Sequence, residues 1–336
     1  MRNSPLASIL LPIGGLLVLM LALLLLPDVR FASWLETLIG GLMTGVLYSL
    51  VALGFVLIFK ASGVFNFAQG AMVLFAALSF VGILEIARKA GLGGAAIPLA
   101  FVAAVLIMIA LAFAIERLVL RPLVNQEGII LFMATIGVTF FLDGFGQTIW
   151  GSDVHPLNLG LPRDPIFLLE GVFEGGLLVD PIDLMAAVVA GVLVTGLAIF
   201  FQRTRVGRAL RAVADDHQAA QSVGIPLNYI WIIVWATAGI VALVAGMIWG
   251  TKFSVQFSLA QIALKALPVL ILGGFTSVPG AIIGGLIIGA GEKLTEVFLS
   301  PYLGGGIENW FAYVLALAFL LVRPQGLFGE RIIERV

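Results

Sequence analysis

The sequence predicts an all-α integral membrane protein of about ten transmembrane helices (eight to ten). Paired glycine-rich interruptions suggest two inverted repeats containing broken or re-entrant helices. Three observations carry this expectation. Hydrophobic residues make up 61% of the 336 and charged residues 11%, and the mean hydropathy of +1.15 lies far above that of a soluble domain. Apolar runs recur at about the 20 residues that a helix needs to cross a bilayer. Forty glycines suit helices that approach closely through small residues. A formal charge of −1 argues against a nucleic-acid surface. The lack of cysteine excludes disulfides, zinc–thiolate sites and thiol nucleophiles.

Taken in order, Leu6–Leu26 is the first expected span. Arg2 ahead of it makes a cleaved signal peptide the alternative, but the apolar run is longer than a usual signal core and no small-x-small site precedes Pro27. Leu35–Phe59 is the second span, ending at Lys60. Residues 61–70, ASGVFNFAQG, are too polar for lipid, and non-helical backbone at this depth survives only inside protein or beside water. The third span is Ala71–Ile86 and the fourth Ile97–Ile115, closed by Glu116, Arg117 and Arg121. Gly128–Trp150 is the fifth, followed by a loop over 151–180 with five acids and three prolines. The sixth runs from Pro181 to near Phe201, and the seventh is Tyr229–Trp249. A short eighth span (Ile262–Leu272), a tight turn, a ninth (Pro279–Phe298) and a tenth (Trp310–Val322) complete one membrane domain over 1–336.

Charge orients these spans. With both termini inside, Arg2, Lys60, Arg117, Arg121, Arg203, Arg205, Arg208, Arg211, Arg323, Arg331 and Arg335 are cytoplasmic. Arg30, Arg88, Lys89, Arg163 and Lys252 are outside, while Lys265 and Lys293 lie in spans. Eleven against five is the bias that the positive-inside rule describes. The loop 151–180 is then periplasmic and the stretch 203–226 cytoplasmic.

That cytoplasmic stretch is the longest polar interruption. Alanine-rich and free of proline and internal glycine, Gly207–Val223 predicts a short helix with Arg211 and Asp215 four apart on one face. Gly224 and Pro226 stop it. A solvated connector is the alternative.

Enzyme signals are nearly absent. No GK dipeptide exists, so the chain cannot supply a P-loop lysine. His155 and His217 stand alone, and no HExxH occurs. Within the fifth span, Thr135, Thr139, Asp143 and Gln147 repeat every four residues as one polar stripe. An intramembrane acid faces a water-filled path or a partner, so the stripe either lines a route for a polar solute or makes helix-to-helix hydrogen bonds. In the second case a cation such as Lys265 would neutralise Asp143. Asn66 and Gln69 in the broken segment could bind a solute or satisfy the broken backbone. Gly280/Gly284 and Gly285/Gly289 have GxxxG spacing for close packing. GGLMTG (40–45) resembles GGLIIG (284–289), and the breaks at 63–70 and 273–280 are similarly placed, a pattern that points to a transport site between repeats. Glu292, Lys293 and Glu296 are expected to pair locally or at an interface.

Four separated stretches resemble the branched-chain amino acid ABC transporter permeases of the LivH type. They are GLMTGVLYSLVALGFVLIFKASGVFNFAQGAMVLFAA (41–77), GRALRAVADDHQAAQSVGI (207–225), VLILGGFTSVPGAIIGGLIIG (269–289) and RPQGLFG (323–329). Gln69 departs from the histidine of many relatives, which weakens any proton-linked role there. The resemblance implies a subunit of the bacterial inner membrane, working with a homologous second permease (LivM type), two cytoplasmic ATPases and a periplasmic binding protein. ATP and magnesium would sit on the ATPases, with no cofactor or metal in this chain. The helix at 207–225 then resembles a coupling helix, through Gly207, Arg208, Arg211, Asp215, Asp216, Ala219 and Gly224. Such relatives move leucine, isoleucine and valine, and others move urea or short amides. An ion-coupled secondary transporter centred on Asp143 is the alternative of another class.

Overall fold

The computed structural model describes residues 14–329 apart from 16, 19, 28, 124–125, 163, 174–175 and 216, and gives the backbone alone at 215, 217 and 218. Ten of the 21 residues of the expected first span, Leu6–Leu26, lie outside the described residues, and helical backbone at 20–22 leads into a 3-10 turn at Leu23–Leu25. The helices that follow are α1 (Phe31–Ser62), α2 (Gln69–Lys89), α3 (Ala96–Ile115), α4 (Gly128–Trp150), α5 (Pro181–Arg203), α6 (Arg205–Asp215), α7 (His217–Ser222), α8 (Leu227–Phe253), α9 (Ile262–Gly273), α10 (Val278–Leu303) and α11 (Phe311–Val322). A hairpin of β1 (Ile166–Leu168) and β2 (Leu177–Val179) lies in the 151–180 loop, antiparallel with Ile166 opposite Val179 and Leu168 opposite Leu177.

Six of the described helices are long and apolar enough to span a membrane: α1, α2, α3 with its flanking turns, α4, α5 and α8. The segments Phe257–Gly273 and Val278–Leu303 pass that test together but are bent by 115°, giving up to seven spans if the pair counts as one. The expected eighth and ninth spans are therefore a single sharply bent pair, and α11, with 12 residues, is short.

The chain divides into two compact units, Met1–Ser49 with Leu161–Val188 and Lys265–Val336, and Leu50–Gly160 with Val189–Leu264. In the second unit α2 is the centre, packing on α3, α4, α8 and the 3-10 segment Phe257–Gln261. Residues 69–82 are buried without interruption, as expected for a helix apolar all round. Small residues make room for its neighbours. A side chain on Gly70 would strike the carbonyl of Ala260, one on Gly82 the ring of Trp150, and one on Gly246 of α8 the carbonyl of Val73.

The first unit repeats that device. Gly41 faces Gly289 and Ala290, and Gly45 faces Gly285 and Gly289, so the two similar GGLxxG stretches pack against each other. Ser49 Oγ, bonded at 2.8 Å to the Gly45 carbonyl, sits over Gly285. The bend between α9 and α10 is equally tight: Gly273 and Gly280 touch, and Ser277 caps α10 by accepting the Gly280 N–H at 3.1 Å. Leu327 and Phe328 donate their N–H groups to the Leu272 and Gly273 carbonyls at 2.8 and 3.1 Å, closing the end of α9 with the RPQGLFG segment.

The charged residues of α10 do not pair with one another. Glu292, only 1% exposed, takes Lys265 Nζ as its partner, and Lys265 also donates to the Glu308 carbonyl at 2.9 Å. Tyr48 O–H donates to Glu292 Oε1 at 3.3 Å. Lys293 reaches Glu308 Oε2 at 3.1 Å, and Glu296 accepts the Gly306 and Glu308 N–H groups at 3.1 and 2.9 Å. Glu292 and Lys293 are sequence neighbours pointing about 100° apart, while Lys293 and Glu296, three apart, are each held by the 306–308 segment instead. Lys265 is thus engaged by Glu292, which corrects the expectation that it neutralises Asp143.

Two outcomes follow from this packing. Gly45→Leu or Gly289→Leu should cost about 1–3 kcal/mol or more through overpacking. Gly40→Ala, where an added methyl meets no atom within 4 Å, should hold or raise stability, as read by thermal melting of the detergent-purified protein. Lys265→Met should destabilise by about 3–5 kcal/mol by stranding Glu292, and a Lys265→Met/Glu292→Leu double variant should recover most of that loss in the same assay.

Candidate functional site

Between α1 and α2 the chain leaves the helix for six residues inside an apolar unit. Gly63, at φ +68°, ends α1 with its N–H on the Phe59 carbonyl at 2.8 Å. Freed backbone groups in such surroundings need partners. Asn66 Oδ1 accepts the Ala68 N–H at 3.1 Å, and the Asn66 carbonyl accepts the Gln69 N–H at 3.3 Å. From α4, Thr135 Oγ accepts the Phe67 N–H at 3.0 Å and donates to the Phe132 carbonyl at 2.8 Å. Aromatic rings clasp the segment: Phe65 stacks on Phe55 at 5.1 Å, and Phe67 meets Phe132 edge-on at 6.0 Å.

Asn66 and Gln69 are fully buried here. Asn66 Nδ2 lies 3.5 Å from Gln69 Oε1 and 3.6 Å from Met72 Sδ. The Gln69 amide rests across Gly54 of α1, where any side chain would collide with it. Its Nε2 has no hydrogen-bond partner among the described residues.

The polar stripe of α4 divides along its length. Thr135, 1% exposed, holds the broken segment, and Thr139 Oγ donates back to the Thr135 carbonyl at 2.9 Å. Asp143 is half-buried, with Oδ1 unpartnered among the described residues, and Gln147 is exposed. The structure thus joins Asn66, Gln69 and Thr135 in one buried cluster, with Thr139 one turn beyond it. Asp143 and Gln147 continue along the helix away from it.

The arginine-rich stretch folds as α6 and α7, with Asp216 outside the described residues between them and only the backbone of Asp215 described. The Asp215 side chain of the expected Arg211–Asp215 pair lies outside the described residues, and Arg211 donates to the Phe201 carbonyl at the end of α5. Thr204 caps α6, its Oγ accepting the Gly207 N–H at 3.1 Å and donating to the Phe200 carbonyl at 2.6 Å. Gly207 lies so close to the Phe201 carbonyl that a β-carbon would overlap it. Arg208, exposed, follows one turn into the helix, with its N–H on the Thr204 carbonyl at 3.2 Å. Gly224, at φ +85°, donates to the Gln221 carbonyl and Ile225 to the Ala220 carbonyl, both at 3.0 Å. This is a Schellman closure, as Gly224 and Pro226 predict. Ala219 is exposed one turn before it.

Three of the groupings that escaped the sequence are the Lys265–Glu292–Tyr48 cluster, the pair Glu116–Arg121 at 3.2 Å, and His155, expected to stand alone, whose Nδ1 lies 3.2 Å from Glu85 Oε1. Lys265 and Glu292 were visible as charges within spans, but their pairing crosses 27 residues. Glu116 and Arg121 are five apart, a spacing that does not align on an α-helix.

Comparison with known proteins matches residues 37–323 to the family described as the permease component of branched-chain amino acid transport systems. The chain is 29% identical over 309 residues to the high-affinity branched-chain amino acid transport system permease protein BraD of Pseudomonas aeruginosa, covering 90% of this chain and 98% of that one. It is 28% identical over 321 residues to LivH of Escherichia coli, a permease of the same description, covering 91% and 99%. It is 27% identical over 323 residues to the probable branched-chain amino acid transport permease LivH of Methanocaldococcus jannaschii, covering 91% and 95%. With its family match extending from within α1 to the end of α11, the chain belongs to the branched-chain amino acid transport system permease family.

Proposed function

We propose that this chain is the membrane permease subunit of an ATP-driven importer for branched aliphatic amino acids. The observation that carries the reading is the family match over residues 37–323, supported by relatives matched over nearly their whole length. The chain itself hydrolyses nothing in this reading. Two cytoplasmic ATPases supply ATP and magnesium chemistry, a periplasmic protein delivers the solute, and a second permease of LivM type completes the pathway. Both termini are cytoplasmic, the 151–180 segment is periplasmic, and eight to ten crossings are assigned, the bent α9–α10 pair contributing two.

Asn66, Gln69, Thr135, Thr139, Asp143 and Gln147 mark the solute pathway. Asn66, Gln69 and Thr135 shape it by fixing the broken backbone. Asp143 is a half-buried intramembrane acid with one carboxylate oxygen unpartnered among the described residues, a group that calls for a polar path or a partner beside it. Gly207, Arg208, Arg211, Asp215, Asp216, Ala219 and Gly224 form the contact with the ATPases. Arg211 and Gly207 tie α6 to the end of α5, so displacement of α6 moves that span. ATP-driven closure shifts the inward–outward equilibrium through contacts that differ between the two states.

The test is uptake into sealed proteoliposomes by the complex purified through a tag on this chain. ATP-dependent entry of labelled leucine, with ATPases and a second permease co-purifying, is the expected result. Labelled urea entering in place of leucine would redirect the solute assignment, and ion-driven transport by the chain alone would overturn the importer reading. Charge reversal at Asp215→Lys/Asp216→Lys should lower ATPase co-purification and uptake together by about tenfold or more, as expected when charges at a contact are turned against their partners. Normal uptake by a stably assembled variant would remove those residues from the contact.

A further inference from the structure

Between the end of α3 and the start of α8 lies a cavity of about 310 Å³ lined by Glu116, Arg121, Gln221, Leu227, Asn228 and Trp231. Small-molecule sites begin at about this size, roughly 300–1,000 Å³. A π turn at Glu116–Leu120 builds its charged wall, the Arg121 N–H donating to the Glu116 carbonyl five residues back. Such turns recur at functional sites, and this one stacks two residues that an α-helix would separate. Arg121 Nε donates to Glu116 Oε1 at 3.2 Å, with the glutamate side chain 1% exposed and the arginine side chain 40% exposed.

The wall is chemically incomplete. Glu116 Oε2 and Trp231 Nε1 have no hydrogen-bond partner among the described residues, and both side chains are more than nine-tenths buried. Buried polar groups ordinarily find partners. Arg121 commits Nε to the glutamate, and its two terminal nitrogens have the fork geometry that suits a carboxylate. An anion alone would leave Glu116 Oε2 unpaired, and a cation alone would face Arg121. A zwitterion satisfies both groups.

We propose that this cavity binds a free aliphatic α-amino acid, and that occupancy from the cytoplasmic side slows import. The ligand carboxylate lies on the Arg121 guanidinium and its ammonium on Glu116, which rotation of the half-exposed arginine opens. Leu227 and the Trp231 ring take the aliphatic side chain, Trp231 Nε1 donates to the ligand carboxylate, and the amides of Gln221 and Asn228 close the mouth. The solute class and the side of the membrane rest on the function proposed above. Gln221, Leu227 and Asn228 bracket the Gly224–Pro226 end of the arginine-rich helices. A ligand held there ties that end to α3 and favours one position of the helices over another.

Two measurements test this on the full complex. Equilibrium binding of labelled L-leucine to nanodiscs without binding protein or ATP should be saturable. L-leucine should compete, while 4-methylpentanoate, lacking the ammonium, and isoamylamine, lacking the carboxylate, should compete at least about tenfold less well. Arg121→Gln and the mouth-filling Asn228→Trp should each abolish binding; Asn228 is exposed, so its variant guards against misfolding at the buried pair. In proteoliposomes, leucine preloaded inside should lower ATP hydrolysis by about fivefold or more in the wild type and not in Asn228→Trp. No saturable binding, equal competition by the amine or the acid, or binding that survives both variants would overturn the proposal. Binding is read without transport, so a failed uptake assay leaves it standing, and active uptake without the binding signal sinks it alone.

Discussion

The structure depends on six residues that leave the helix between α1 and α2, with Val64, Asn66 and Ala68 buried and Gly63 and Phe67 exposed. Where this backbone is buried its N–H and C=O groups need partners, and the surrounding unit supplies them. Asn66 folds its own amide back onto the Ala68 N–H, and Thr135 extends a hydroxyl from α4 to the Phe67 N–H. The arrangement fixes the start of α2, the helix on which α3, α4 and α8 all pack. It also explains why a polar residue recurs on an otherwise lipid-compatible α4: at Thr135 the hydroxyl is a structural bond rather than a free surface.

Around that constraint, glycine governs how closely the helices approach. In membrane proteins lipid offers no hydrophobic drive for helices to associate, so van der Waals contact and backbone proximity carry more of the stabilisation. Gly41, Gly45, Gly285 and Gly289 bring two backbones together in one unit, and Gly70, Gly82 and Gly246 serve α2 in the other. The likeness of GGLMTG to GGLIIG has a direct physical meaning, since each stretch is the surface on which the other lies.

Most of the helical pattern was legible because bilayer length and hydropathy act locally. α4 runs over the residues expected of the fifth span, Gly128–Trp150, and α2 and α8 differ from expectation only at their ends. The Gly224–Pro226 stop was legible too, because a Schellman closure needs a residue tolerant of positive φ. What hydropathy could not show was direction. The 115° bend between α9 and α10 depends on Gly273 meeting Gly280, and on the C-terminal Leu327 and Phe328 arriving to bond the last carbonyls of α9. Ion pairing was likewise hidden. Lys265 chooses Glu292 through tertiary placement, and Glu116 meets Arg121 only because the helix widens to a π turn.

The junction of α5 with α6 has one more consequence. Thr204 bonds to both helices, Arg211 reaches back to Phe201, and Gly207 is seated on the Phe201 carbonyl without room for a methyl. An elbow fastened at three points has little compliance: it acts as a bell crank rather than a tether. If the arginine-rich arm is the contact proposed above, a push on it would pass through these three points to the α5 shaft. On that proposed reading, stiffness at this corner, more than the charge that first drew attention to it, would set how much of such a stroke survives to the membrane interior.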